Sequence, residues 1–414
     1  MPNISAKGRV DPRPERGLWR LFGPAFVAAV AYVDPGNVAA NLTAGAKYGY
    51  LLLWVLVAAN AMAVLIQYLS AKLGLVTGKT LPQLIGERMG RKGRLAFWGQ
   101  AEIVAAATDI AEVIGGALAL YLLFDVPLVW GGVIVGAVSM TMLAVHSRRG
   151  ERTFEFVIIS FLAIIAIGFT AGLFVAPVSW PDAAAGLIPH FAGPETVLLA
   201  ASMLGATVMP HAIYLHSALA RDRHRSAPDS QPTPRLLRAT RHDVTWSMLV
   251  AGGVNIAMLL LAAASLRGIE GTETIEGAHS ALSSQLGPFI ATIFAVGLLA
   301  SGLAATSVGA HAGAVIMEGL LVKRIPLVLR RAVTLIPALI ILAMGVDPTL
   351  ALVLSQVVLS LGIPFALIPL VRLTSLKDLL GDYANRRVTT IIAIAIAALI
   401  IALNAALIII TIGG

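Results

Sequence analysis

Ala31-Tyr32-Val33-Asp34-Pro35-Gly36-Asn37 interrupts an otherwise apolar segment that runs from about Leu21 to Ala46. In a bilayer no water satisfies freed backbone groups, so Pro35 and Gly36 together predict a local helix break. An acid at that depth is costly and points to function. Beside a break, the Asp34 carboxylate can act with unwound backbone carbonyls as a hard-oxygen site for a cation. Asp-Pro-Gly-Asn in a soluble protein would read as a surface turn. Here apolar residues continue on both sides, and that reading fails.

Composition agrees with a membrane setting. Of 414 residues, 58% are hydrophobic and 13% charged, about half the charged fraction of a soluble domain. The mean hydropathy is +0.86. The absence of cysteine excludes disulfides, thiolate metal sites and thiol nucleophiles. Residues 1–20 are polar and basic, with Pro12 and Pro14, and read as a cytosolic tail; no cleaved signal peptide is expected.

Hydropathy divides the chain into eleven candidate spans. The first five lie near Leu21–Ala46, Leu51–Val76, Ala96–Leu123, Pro127–Val145 and Phe154–Ala176. The next five lie near Val197–Ala218, Thr245–Ser265, Phe289–Ala310, Ala332–Gly345 and Leu350–Val371. The last runs near Val388–Ile412. The ninth is short for a crossing and is expected to begin earlier, near Pro326. The whole of 21–414 reads as one all-α transmembrane domain.

With the N-terminus inside, 28 of the 30 lysines and arginines fall on inside segments, leaving only Lys47 and Arg267 outside. This bias places the N-terminus in the cytoplasm and, after eleven spans, the C-terminus outside. It also explains the formal charge of +8 without nucleic acid. The connection Arg221–Asp243, rich in Pro, Ser and Arg, reads as a flexible linker. The acidic outer segment Gly268–His279 (Glu270, Glu273, Glu276) reads as a solvated loop.

A second polar interruption, Gly205-Ala206-Thr207-Val208-Met209-Pro210-His211, lies in the sixth span. Pro210 removes a backbone bond in mid-membrane. Two interrupted spans at corresponding positions of two halves point to a transporter substrate site. Spans one and six are five apart, as an inverted repeat requires, although no residue-level repeat is visible. The donors are then the Asp34 carboxylate, the Asn37 carbonyl, the Met209 thioether and the carbonyl of Ala206. Oxygen alone would suit Mg²⁺ or Ca²⁺; a thioether shifts preference toward Mn²⁺, Fe²⁺ or Cd²⁺.

Span three carries Glu102, Asp109 and Glu112. At about 100° per residue, Asp109 and Glu112 lie about 20° and 80° around from Glu102, so all three share a face. Such a face reads either as a proton relay or as a structural ion-pair network, with Arg330 and Arg331 as natural partners. Asn255, Ser301, Thr306, Ser307 and Gly309 are placed to line a path, and equally to form interhelical hydrogen bonds. His216 reads as structural.

At Asp34-Pro35-Gly36-Asn37, Met209-Pro210-His211 and Tyr214-Leu215-His216-Ser217 the chain resembles the Nramp family of proton-coupled divalent-metal transporters. The likeness extends through Glu102, Thr108-Asp109-Ile110-Ala111-Glu112 and Leu354-Ser355-Gln356. Ala212 departs from the asparagine many relatives carry. The resemblance implies a LeuT-like five-plus-five inverted repeat with helices 1 and 6 broken. Repeat one covers about 21–176 and repeat two about 197–371, with an extra helix at about 388–412. It implies metal on Asp34, Asn37 and Met209, the carbonyls of Ala31 and Ala206 joining in different conformations, and Gln356 approaching when the outer side closes. It also implies a proton path through His211, Glu112 and the Asp109–Arg331 pair. A magnesium-transporting branch lacks the thioether.

The chain is therefore expected to be a secondary transporter of the plasma membrane, not an enzyme, carrying Mn²⁺ or Fe²⁺ with protons. No cofactor, nucleic acid or obligatory protein partner is expected beside the metal ions, protons and the bilayer. A sodium-coupled solute transporter of the same fold would need no thioether. An intramembrane metal-dependent enzyme would need carboxylate clusters on facing helices, and Asp34 is alone in its segment.

Overall fold

The computed structural model describes residues 23–149, 151–225, 233–321 and 326–413; the basic tail expected over 1–20 lies outside them. Every regular element among the described residues is helical. α1 (Pro24–Val30) and α2 (Pro35–Tyr48) are separated by a 3-10 turn at Ala31–Val33, then come α3 (Leu53–Thr77) and the short α4 (Leu81–Arg88). α5 (Arg91–Phe124), α6 (Leu128–Arg149) and α7 (Glu151–Thr170) come next, with a small α8 (Trp180–Ala185). α9 (Pro194–Thr207) and α10 (Pro210–Arg225) meet end to end. The remainder is α11 (Thr233–Ser265), α12 (Ile275–Leu286), α13 (Pro288–Leu321), α14 (Leu327–Ala343), α15 (Pro348–Ser375), α16 (Lys377–Leu380) and α17 (Arg387–Gly413).

Among the described residues, eight helical stretches are long and apolar enough to cross a membrane: α3, α5, α7 with its extension to Phe174, α9 with α10, α11, α13, α15 and α17. The other three expected crossings fall on α1 with α2, on α6 and on α14, which starts at Leu327 as anticipated for the short ninth span. Proline opens α1, α2, α9 and α15 at their first turns. There it costs no intrahelical hydrogen bond and its fixed φ suits a helix start. The most extensive packing joins α5 to α13, which sets the acidic face of α5 near Thr306 and Gly309.

Two connections differ from expectation. The supposed linker Arg221–Asp243 is helical through Arg225 and again from Thr233; residues 226–232 lie outside the described residues. Leu236, Leu237 and Ala239 are buried there, so an apolar stripe overrides the local polar composition. In the outer segment Gly268–His279, residues Gly268–Gly271 and Glu273 are exposed, as a solvated loop requires, whereas Thr272, Ile275 and Ala278 are buried. Thr274 caps α12 by accepting from the Gly277 N–H at 3.1 Å. The carbonyl of Glu273 accepts from Thr43 at 2.9 Å, and Ile275 N–H donates to Thr349 at 3.0 Å. Burial, with the Asp347 carboxylate adding to it, pushes Glu276 above the ordinary carboxylate range.

The start of α11 anchors the start of α1. Asp243 accepts from the Gly23 and Ala25 N–H groups, at 3.2 and 3.0 Å, supplying acceptors that the first turn of α1 cannot find within itself. Asp243→Ala is expected to cost about 1 kcal/mol, the usual value of a helix cap. It should lower the unfolding temperature of the purified protein, with Asp243→Asn falling between; an unchanged melting curve for Asp243→Ala would remove the capping role.

Candidate metal-binding site

The two helix breaks face one another, and side chains satisfy the carbonyls they release. Asp34 is the extended residue capping α2, its Oδ1 accepting from Asn37 N–H at 2.8 Å. The carbonyl of Tyr32 accepts from Asn37 Nδ2 at 2.9 Å and from Asn255 Nδ2 at 2.7 Å. The carbonyl of Val33 accepts from Ser301 Oγ at 2.6 Å. On the other side α9 unwinds at Val208 before Pro210 opens α10. The Ala206 carbonyl accepts from Asn37 Nδ2 at 2.7 Å. Asn37 thus ties the two breaks together.

This arrangement leaves oxygens without partners. Asn37 donates through Nδ2, while its Oδ1 is buried with no hydrogen bond. Gln356 reaches in from α15 and donates Nε2 to Asp34 Oδ2 at 3.2 Å; its own Oε1 is likewise buried and unpartnered. Unpaired amide oxygens out of water are costly, and two of them beside one carboxylate make a cradle for a cation. Met209 is fully buried at the second break, and Ala31, Ala206, Asp34, Asn37 and Gln356 are buried with it, so the site is closed to solvent. Among the described residues no three His, Asp or Glu come together as a metal cluster. The donor set is one carboxylate, amide oxygens, backbone carbonyls and a thioether.

Gln356 can approach because residue 36 is glycine. A Cβ there would overlap the Gln356 side-chain amide. Asn255 is held in turn by Asn41 Nδ2, at 3.1 Å from its Oδ1. Asn255 and Ser301 are among the polar residues expected near a path, but nothing in the sequence ties either to the carbonyls of residues 32 and 33. Their signal is an amide or hydroxyl inside an apolar helix, which most often marks an interhelical bond of no special address.

The acidic face of α5 meets both arginines of α14. Arg331 Nη1 lies 2.8 Å from Asp109 Oδ1, with both side chains buried, and its Nη2 donates to Thr306 Oγ1 at 3.3 Å. Arg330 Nη2 lies 2.8 Å from Glu102 Oε1, nearer the surface. A Cβ at Gly313 would overlap the Arg330 guanidinium, so this group rests directly on the α13 backbone. Glu112 is buried between these pairs and the breaks, with Oε2 unpartnered. Thr108 Oγ1 lies 3.1 Å from the Val104 carbonyl and 3.3 Å from His211 Nδ1. His211 Nε2 is buried and has no partner. His216, by contrast, is engaged with Gln67 Oε1 at 2.7 Å.

Paired broken helices around a buried acid, in an all-helical bundle of membrane length, define a transporter rather than an enzyme. The chain matches the family model described as natural resistance-associated macrophage protein-like over residues 25–410. It is 60% identical over 396 residues to the divalent metal cation transporter MntH of Mycobacterium tuberculosis, covering 96% of this chain and 92% of that protein. Its fold superposes on the crystal structure of the Eremococcus coleocola manganese transporter with a TM-score of 0.84 at 32% identity, over 94% of this chain and 85% of that one. A likeness of fold alone extends to Mhp1, a nucleobase-cation-symport-1 family transporter, with a TM-score of 0.62 at 16% identity over 94% and 90% of the two chains. The chain belongs to the Nramp family, with the expected LeuT-like fold.

Gly36→Ala should displace Gln356 from Asp34, because the new methyl group and the amide would occupy the same space. The expected outcome is a folded protein with weaker divalent-metal binding by calorimetry. Wild-type affinity in this variant would show that the Gln356 contact is dispensable.

Proposed function

We propose that this chain imports Mn²⁺ or Fe²⁺ across the plasma membrane together with protons, and also accepts Cd²⁺. The observation that carries the reading is the pair of buried, unpartnered amide oxygens on Asn37 and Gln356, the two residues that hydrogen-bond the single carboxylate of Asp34 at two meeting helix breaks. Relatives named as divalent metal cation and manganese transporters support it. In this reading Asp34, Asn37 and Met209 ligate the ion. The carbonyls of Ala31 and Ala206 and the amide of Gln356 join as the conformation changes.

Protons leave Asp34 by way of His211 and Glu112 toward the Asp109–Arg331 and Glu102–Arg330 pairs. A carboxylate must be ionised to ligate, so metal arrival displaces a proton. The N-terminus lies in the cytoplasm and the C-terminus outside. An inside-negative potential then favours uptake of a doubly charged ion by about 4.6 kcal/mol per 100 mV, twice the unit-charge value. Uptake of radioactive manganese into vesicles, with and without a pH gradient, tests the proposal. Accumulation indifferent to the gradient would remove the proton from it, and no manganese uptake at all would overturn it.

Met209→Ala should retain Mn²⁺ transport better than Cd²⁺ transport and let Ca²⁺ or Mg²⁺ compete more strongly, because sulfur rewards soft ions and gives hard ones nothing. Competition uptake measures this, and unchanged selectivity against Ca²⁺ would take Met209 out of the ligand set.

Asp109→Asn separates relay from brace. A relay predicts persisting metal uptake and lost metal-stimulated proton flux in the molecules that fold. A brace predicts a buried Arg331 left without its counter-charge, a cost of about 3–5 kcal/mol, with normal coupling in the molecules that fold. Thermal unfolding and proton flux measured on one preparation distinguish them.

A further inference from the structure

We infer that the junction of α3, α15 and α17, at the end carrying Lys72 and Arg386, binds the phosphate headgroup of an anionic phospholipid. The inference starts from a lone buried cation. Lys72 is 6% exposed, and its Nζ donates to Asn385 Oδ1 at 2.5 Å. Among the described residues no carboxylate pairs with it. An ammonium withdrawn from water without a counter-charge is expensive, and one neutral carbonyl leaves two of its three N–H donors unused. Asn385 cannot turn to offer more. Its N–H donates to the Thr374 carbonyl at 2.9 Å and its Nδ2 to Thr374 Oγ1 at 2.8 Å.

The next two residues, Arg386 and Arg387, are exposed and without a carboxylate partner among the described residues. Arg372 and Lys377 are exposed on the neighbouring end of α15 and on α16. On the α16 segment Asp378 and Asp382 oppose these cations. Lysine and arginine grouped where helices leave the hydrocarbon are the chemistry that holds a phosphate headgroup.

The start of α17 argues for a lipid rather than free phosphate. Directly beyond the arginines, Val388 (67% exposed), Ile391 (65%) and Ile392 (48%) form a bare apolar strip. The apolar window of α17 is only 28% buried, the least of the eight long crossing helices among the described residues. A basic end continuous with an apolar strip fits an amphiphile, with its phosphate on Lys72, Arg386 and Arg387 and its acyl chains along α17.

Full-length protein stripped of lipid in detergent should be titrated with phosphatidylglycerol, with phosphatidylcholine of the same acyl chains, and with inorganic phosphate. Bound lipid is read by native mass spectrometry and stability by the melting temperature. Wild type should retain phosphatidylglycerol over phosphatidylcholine and melt higher with it. Arg386→Gln with Arg387→Gln should weaken phosphatidylglycerol binding about thirtyfold, the equivalent of about 1 kcal/mol for each arginine, and leave phosphatidylcholine binding unchanged. Lys72→Gln should also lose the preference, without lowering the melting temperature of the lipid-free protein, since it removes an uncompensated buried charge. Should Lys72→Gln fail to fold, the exposed arginine pair decides alone. Equal retention of the two lipids by wild type, a preference that survives the arginine substitutions, or equal stabilisation by inorganic phosphate would each overturn the inference.

Discussion

A helix interrupted inside a membrane releases backbone carbonyls into a medium with no water, and each one left bare costs several kcal/mol. The rest of this structure answers that demand. The carbonyls of Tyr32, Val33 and Ala206 are met by Asn37 from α2, Asn255 from α11 and Ser301 from α13. The unwound segment therefore draws α11 and α13 against it. Because α13 also packs along α5, the same demand brings the acids of α5 close to the breaks. The position of the acidic face follows from the need to satisfy three carbonyls.

Asn37 carries most of this arrangement. Its amide nitrogen serves both the Tyr32 and the Ala206 carbonyls, which leaves the amide oxygen without a partner. The oxygen left over is free to ligate an ion because the nitrogen is a structural brace. The Ala206 carbonyl keeps a second lone pair beside that hydrogen bond, so on the transport reading an ion bound there would add to the contact Asn37 makes between α2 and α9. A ligand shifts a conformational equilibrium only through differential contacts, and on the transport reading that second lone pair would supply one of them.

Much of this is legible in the chain because membrane physics narrows the alternatives. Pro35 and Pro210 within apolar runs leave little choice but breaks, and the spacing of Glu102, Asp109 and Glu112 places them on one face. Charge names Arg330 and Arg331 as partners of that face, the family resemblance implies Asp109 with Arg331, and the structure adds Glu102 with Arg330. The features that stay hidden depend on partners remote in sequence. Nothing local to Gly36 announces that Gln356, 320 residues later, must lie against it. Nothing local to Asp243 reveals that it caps α1. The connection 221–243 misleads because its charged and proline-rich composition outweighs the shorter apolar stripe of Leu236, Leu237 and Ala239. In the outer acidic segment, Thr43 and Thr349 supply distant hydrogen bonds that a solvated-loop reading cannot foresee.

The buried charges do not balance. Arg331 is fully buried and answers Asp109, while Glu102 and Arg330 answer each other nearer the surface. Asp34 and Glu112 are both buried, and among the described residues no cationic side chain is ion-paired with either. Stability alone gives no reason for this design, since apolar side chains of similar volume would hold α5 to α14 as well as a buried ion pair does. Two carboxylates out of water require positive charge from elsewhere. On the transport reading that charge arrives either as protons or as one divalent ion, and the presence of one makes the other less favourable. The imbalance between acids and arginines would thus couple the two cargoes directly, with no moving part between Asp34 and Glu112 beyond the exchange of charge itself.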